Sequence, residues 1–234
     1  MNNDEIENPI PEMLDAPMKI FVDQVGYRPA DEKVAVLTFP ASRFSVTDAD
    51  GRQVLSGDVT SAGFDAASGE NVWHADLSAL RTPGVYRVNA DGESSVTFEI
   101  GENVFRDCFD KCMKAFYFQR CGCELTPEYA GPWTHGKCHC GRALLWENTS
   151  VKLEVSGGWH DAGDYGRYVT AAATALAHLL YSWKLYPKVF RKQDINIPGK
   201  PSEMPDVLIE CRYELEWLLK MQRYDGAVWR KATT

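Results

Sequence analysis

The chain has 234 residues, 44% of them hydrophobic and 12% aromatic, which makes it globular and long enough for two domains. Lys and Arg number 25 against 33 Asp and Glu, a net charge of −8, and no basic cluster stands out, so nucleic acid is excluded as a partner. No apolar run approaches the ~18–20 residues that cross a bilayer, which sets membrane spanning aside.

Residues 1–17 are acidic and proline-containing and lack the basic-then-apolar order of a secretory signal. They read as a flexible leader. From Lys19 to Ile100 short β-rich runs alternate with turn residues. Lys19–Val22, Lys33–Leu37, Phe44–Val46 and Gly84–Val88 are the clearest strands, and Asp50-Gly51 and Asp91-Gly92 are hairpin signals. The pattern predicts a small β-sandwich over residues 18–101. Tyr27, Trp73 and Tyr86 offer faces on which sugar rings can stack, but aromatic residues of a small sandwich more often belong to its core, and Trp73 lies in an alternating run that suits a half-buried strand.

After Gly101 the hydrophobic period changes from two to about 3.6, and a second, all-helical domain is expected over residues 104–234. Phe105, Cys108, Phe109, Cys112 and Phe116 form the stripe of a first helix; Val169, Ala172, Ala173, Leu176, Leu180 and Trp183 that of a second. A third carries Val207, Leu208, Cys211, Leu215, Leu218 and Leu219, with Pro205 at its start and Asp206 favourable beside its N-terminal dipole. Cys108, Cys112 and Cys211 are read as small hydrophobes on these stripes, and His178 as a structural or solvated helix residue.

Between the first two helices lie Cys121, Cys123, Cys138, His139, Cys140 and His160, a gathering of sulfur and imidazole donors that favours zinc. Cys121-Gly122-Cys123 with Cys138-His139-Cys140 can supply four or five ligands. A disulfide between Cys123 and Cys140 is the alternative, opposed by the odd total of seven cysteines. Tyr129, Trp133, Trp159 and Tyr165 occupy the same loops, and Trp133 and Tyr165 are the candidates for stacking on substrate.

The stretch Ser156-Gly157-Gly158-Trp159-His160-Asp161-Ala162-Gly163-Asp164-Tyr165-Gly166 carries two carboxylates three positions apart among four glycines. Asp161 and Asp164 can point into one cleft, where they orient and deprotonate a water or hold a cation. The competing reading is an Asx-type turn that caps the following helix. Gly157 to Gly166 resembles, nearly letter for letter, the signature of the glycoside hydrolase family 9 catalytic domain.

The resemblance implies an (α/α)6 barrel that cleaves β-1,4-glucosidic bonds in cellulose or related β-glucans with inversion. Asp164 is then the general base on the attacking water, Asp161 helps to hold that water, and a glutamate outside these residues is the acid. An exo-acting enzyme on short β-glucosides or glucosaminides is the alternative within the family. A non-catalytic, zinc-braced protein that binds a glycan or another partner is the alternative outside it. Asp23-Gln24-Val25-Gly26-Tyr27-Arg28-Pro29 resembles the opening of the immunoglobulin-like module that precedes the catalytic domain in one subgroup. In that subgroup Gln119-Arg120-Cys121-Gly122 and the segment from His135 to His139 imply a structural zinc held by Cys121, Cys138, His139 and His160, with four protein ligands and no catalytic position. Calcium is also implied, with ligands outside these residues. So are a full-length monomer, a polysaccharide or oligosaccharide partner, and a secreted or periplasmic location, although the missing signal leaves a cytoplasmic one open. The last residues, Ala227 to Thr234, resemble an internal segment of the family, so the chain is expected to be the N-terminal portion of a longer enzyme.

Overall fold

The computed structural model describes residues 17–199 and 203–233; the leader expected over residues 1–17 lies, apart from Pro17, outside the described residues. The chain divides into two compact units, with the division after Cys108.

The first unit is built from β1 (Ile20–Phe21), β2 (Val34–Leu37), β3 (Arg43–Asp48), β4 (Gln53–Asp65), β5 (Glu70–Asp76), β6 (Gly84–Ala90), β7 (Glu93–Ser94) and β8 (Phe98–Ile100). Strand order is β1-β2-β5-β4-β3-β6-β7, with β8 pairing the same edge of β6 as β7, at its other end, and every pairing between these strands is antiparallel. The 13-residue β4 joins two layers: Gln53–Asp58 pairs with β3, and Val59–Asp65 pairs with β5. A strand that changes partner halfway along lets one continuous ladder fold over on itself and enclose a core.

Period-two patterning fills that core. Ala35 and Leu37 of β2, Phe44 and Val46 of β3, and Tyr86 and Val88 of β6 are buried, while their immediate neighbours face outward. The Asp91-Gly92 turn has φ of +46° and +83°, the two left-handed residues that a two-residue hairpin between β6 and β7 requires. At Asp50-Gly51 only Gly51 is left-handed, and the register slips by one residue between Val46 and Thr47, so this turn is a bulged, longer loop. Tyr27 and Tyr86 are buried and Trp73 packs on the core from its half-buried strand, so these rings are framework and offer no sugar-stacking face.

The second unit is organised by α1 (Phe105–Phe118), whose first turn lies before the division, and by α2 (Pro127–Ala130), β9 (Ala143–Leu145), β10 (Asn148–Leu153), β11 (Arg167–Tyr168), α3 (Val169–Leu185), α4 (Pro187–Phe190), α5 (Asp206–Lys220) and β12 (Lys231–Ala232). The three long helices fall where the 3.6 period places them. The unit is not purely helical, however: β9 pairs with β10, and β11 with β12, both antiparallel. These runs are too short and too exposed to show a period in sequence.

The buried faces are also rotated from the expected stripes. In α1 the buried residues are Met113 and Tyr117, with Phe109 and Phe116 partly covered, whereas Cys108 and Cys112 are exposed rather than core hydrophobes. In α3 the buried line is Ala172, Leu176 and Leu179, and Leu180 is exposed. In α5 Val207 and Cys211 are buried as expected, but Leu215 and Leu219 face out while Glu210, Glu214 and Trp217 face in. Asp206 opens α5 with its Oδ2 accepting the Ile195 amide at 2.8 Å, which fixes the segment before the helix onto its first turn.

Candidate active site and metal centre

Two chain segments build the site by lying antiparallel beside each other. Where α1 ends, the Cys121 amide donates to the Gly158 carbonyl at 2.7 Å, and the His160 amide donates to the Gln119 carbonyl at 2.8 Å. Arg120 thereby bridges Trp159, and the side chains of Cys121 and His160 come together. A second bridge, Leu125 to His135, turns the chain back so that Cys138 and His139 reach the same point. Gly158 is what allows the close approach: its φ is +77°, and a Cβ there would sit 2.6 Å from the Trp217 ring.

One donor atom from each of Cys121, Cys138, His139 and His160 lies within 4.8 Å of the others. In a tetrahedral zinc site such atoms stand about 3.3–3.8 Å apart, so small side-chain movements complete the geometry. The carbonyl of Tyr165 can only accept, so the His160 Nδ1–H donates to it at 2.9 Å. That leaves Nε2, 3.6 Å from the Cys138 sulfur, with its lone pair toward the cluster. His139 Nδ1 is buried without a partner among the described residues. Burial pushes the Cys121 thiol up to about 12 and lowers the His160 imidazole. A dication is what makes a buried thiol ionise in such a place, and a neutral imidazole is the form that binds it. Two sulfurs and two imidazoles with an orphaned ring nitrogen therefore fit a soft-to-borderline dication.

Cys123 and Cys140 stay outside the cluster. Cys140 donates to the carbonyls of Cys138 and Gly122, and no disulfide joins any of the cysteines. The cluster is thus mixed cysteine and histidine rather than all-cysteine.

Immediately after His160 the loop closes on itself, the Asp161 amide donating to the Gly166 carbonyl at 2.9 Å. Asp164 forms the Asx turn weighed above, its Oδ1 accepting the Gly166 amide at 3.0 Å, but it caps no helix, since α3 begins only after Tyr168. Its other oxygen, Oδ2, accepts the Tyr168 hydroxyl at 2.6 Å. These bonds, that of Tyr168 first, hold the Asp164 carboxyl below the usual carboxylate range. Both aspartates are exposed. Asp161 borders an open cleft of about 750 Å³ with Tyr168, Thr170, Thr174, His178 and Arg230, and a smaller cavity of about 210 Å³ floored by Trp159 and Phe116.

Tyr165 has φ of +53° and lays its ring on His139, with centroids 6.1 Å apart, so it covers the cluster. Trp133 follows α2 and is 65% exposed. Neither lines the two cavities that Asp161 borders. Sequence reasoning passed over Tyr168 and Arg230, which line the cleft together with His178, read from sequence as a structural or solvated helix residue. It also missed the charges beneath the loop: Glu210 of α5 accepts two bonds from Arg120, at 3.0 and 2.9 Å, and the Trp159 indole N–H at 2.8 Å. Glu210 and Glu214 are four apart on the face that Trp217 and Cys211 share, but hydrophobic spacing alone does not single that face out as buried.

Residues 105–233 match the family model described as glycosyl hydrolase family 9, and residues 15–95 match that of the cellulase N-terminal ig-like domain. A cellodextrinase of Butyrivibrio fibrisolvens is 42% identical over 218 residues, which are 92% of this chain and 40% of that protein. Endoglucanase D of Acetivibrio thermocellus is 34% identical over 213 residues, 89% of this chain and 34% of its own length. Among solved structures, a Bacteroides ovatus GH9 protein superposes with a TM-score of 0.86 at 33% identity, covering 92% of this chain and 41% of that one. A structure described as a Zn-binding triple mutant of GH family 9 endoglucanase J30 superposes with a TM-score of 0.80 at 37% identity, covering 87% and 40%. The chain thus spans well under half the length of the relatives it matches.

Proposed function

The chain belongs to glycosyl hydrolase family 9, and on that footing we propose that the protein carrying it hydrolyses β-1,4-glucosidic bonds in cellulose or related β-glucans with inversion at the anomeric carbon. The observation that carries this reading is the closed, glycine-bearing loop that presents Asp161 and Asp164 beside a cleft, immediately after His160 of the cysteine–histidine cluster.

Asp164 is the general base. Its carboxyl, kept ionised by Tyr168 and the Gly166 amide, takes a proton from the attacking water. Asp161, at the cleft wall, accepts the second hydrogen of that water and fixes its direction. A glutamate outside these residues protonates the departing sugar oxygen, the second carboxyl that an inverting enzyme needs on the opposite face of the ring. Trp133 and Tyr165 serve the substrate at the margin of the cleft. The architecture inferred for the whole catalytic domain is an (α/α)6 barrel, in keeping with the apolar residues that α3 and α5 turn outward, Leu180, Leu185, Leu215 and Leu219 among them.

Cys121, Cys138, His139 and His160 would hold a structural zinc. With all four positions filled by protein, a zinc held there would supply no Lewis-acid chemistry; these residues would through it fasten α1's end and the Cys138 segment to the aspartate loop. Precise aim of the water depends on that rigidity. A secreted or periplasmic site of action, where polymer is met, completes the proposal. Action on short cello-oligosaccharides is a second reading, favoured by the 42% identical cellodextrinase.

Replacing Asp164 with Asn in the protein at its full natural length tests the assignment. Turnover of soluble β-1,4-glucan should fall by about 10²–10⁴-fold with KM little changed, the loss expected for a general base. Retention of most activity would remove Asp164 from that role.

A further inference from the structure

Glu210 and Glu214 stand one turn apart on α5, and both side chains are fully buried. Glu210 is satisfied, bonded twice to Arg120 and once to the Trp159 indole. Neither oxygen of Glu214 has a hydrogen-bond partner among the described residues. A second buried cation of this unit, Arg167 on β11, gives Nη1 to the carbonyls of Val155 and Gly157, and its Nε also has no partner among the described residues. A buried carboxylate whose nearest donor, the Trp159 backbone, lies outside hydrogen-bond geometry is costly enough that the group keeps its proton instead. The groups facing Glu214 are Glu210 from its own helix, the Trp159 backbone from the aspartate loop and Arg167 from β11; Arg120, from the end of α1, reaches it only through Glu210.

We propose that Glu214 is a positioning residue: as a neutral acid it lets α5 seat the segment from Gly157 to Asp161, and its ionisation loosens that segment and misaligns Asp161. The proposal rests on the functional reading of Asp161 given above. Burial first, and Glu210 second among the raising influences, push the Glu214 carboxyl from 4.5 up to about 8, against the Trp159 backbone and Arg167. The direction of the pH effect follows. Between about 4.5 and 8 the folded protein holds a proton that the unfolded chain has lost, so stability falls as pH rises through this window. The unfolding constant gains about tenfold per pH unit from this group.

The test compares the full-length protein with its Glu214→Gln variant, a neutral isostere. The variant should lose this one-proton slope of stability against pH, and its alkaline loss of kcat should shrink to that of the catalytic acid alone while KM stays unchanged. An unchanged slope, or an alkaline limb identical to that of the unaltered protein, overturns the proposal. Should the variant fail to fold, infrared spectroscopy of the unaltered protein decides: a carboxylic-acid carbonyl band at neutral pH that vanishes near pH 8 supports the proposal, and its absence overturns it. The stability slope and the band need no turnover. A protein that shows both yet leaves β-glucan intact would refute the glycosidase reading alone.

Discussion

Tyr168 is the residue on which the chemistry of Asp164 turns. Its hydroxyl is the first cause of the depressed carboxyl, ahead of the Gly166 amide. Losing it raises the Asp164 carboxyl toward its ordinary value, and the base is active only when ionised. In a Tyr168→Phe variant the acid limb of kcat/KM should therefore move to higher pH, with a several-fold loss at the acidic end and little change near neutrality. A pH–rate profile checks this; an acid limb that stays in place would mean that Asp164 is not the group titrating there. The two aspartates themselves were legible in sequence, because only a chain needing unusual backbone freedom surrounds DxxD with four glycines. Tyr168 was not. Nothing in its spacing tells a hydroxyl aimed at Asp164 from an aromatic ring heading a helix.

The α1 terminus, the Cys138–His139 segment and the aspartate loop meet at the cysteine–histidine cluster, which adds to backbone bonds such as Cys121 to Gly158. Removing a bound metal should then act on this meeting point. Chelation is expected to lower the melting temperature of the helical unit by at least about 5 °C, the shift that ~2 kcal/mol produces in a domain of this size, and zinc should restore it. Metal content measured before and after, with calorimetry, is the check; complete metal loss without a change in melting would leave the cluster no bracing role. Strand and helix positions were readable from their periods, since burial on one face writes itself into the pattern. Which face was buried was less so. α5 hides Glu210 and Glu214 because Arg120 and the loop lie against them, and partners that come from 90 residues away leave no mark on local hydrophobic spacing.

Across the molecule, a β-sandwich unit and a helical unit share one chain, and the acidic composition is consistent with a neutral sugar polymer as substrate rather than a polyanion. The two-unit organisation was visible as the change of period near Gly101. The small sheets β9–β10 and β11–β12 were not, for they contribute hydrogen bonds rather than a core. The aspartate loop is anchored three ways: by the cluster, by the buried Arg120–Glu210 pair, and by Arg167 bonding to the Val155 and Gly157 carbonyls. In the proposed mechanism all three serve one purpose, the aim of a water held by Asp161 and Asp164. The most direct measurement is the anomer first released from a β-1,4-glucan by the full-length protein, followed by proton NMR beside the Asp164→Ala variant. The account predicts the α-anomer, appearing before mutarotation and absent with the variant. Release of the β-anomer, or equal release by the variant, would contradict it.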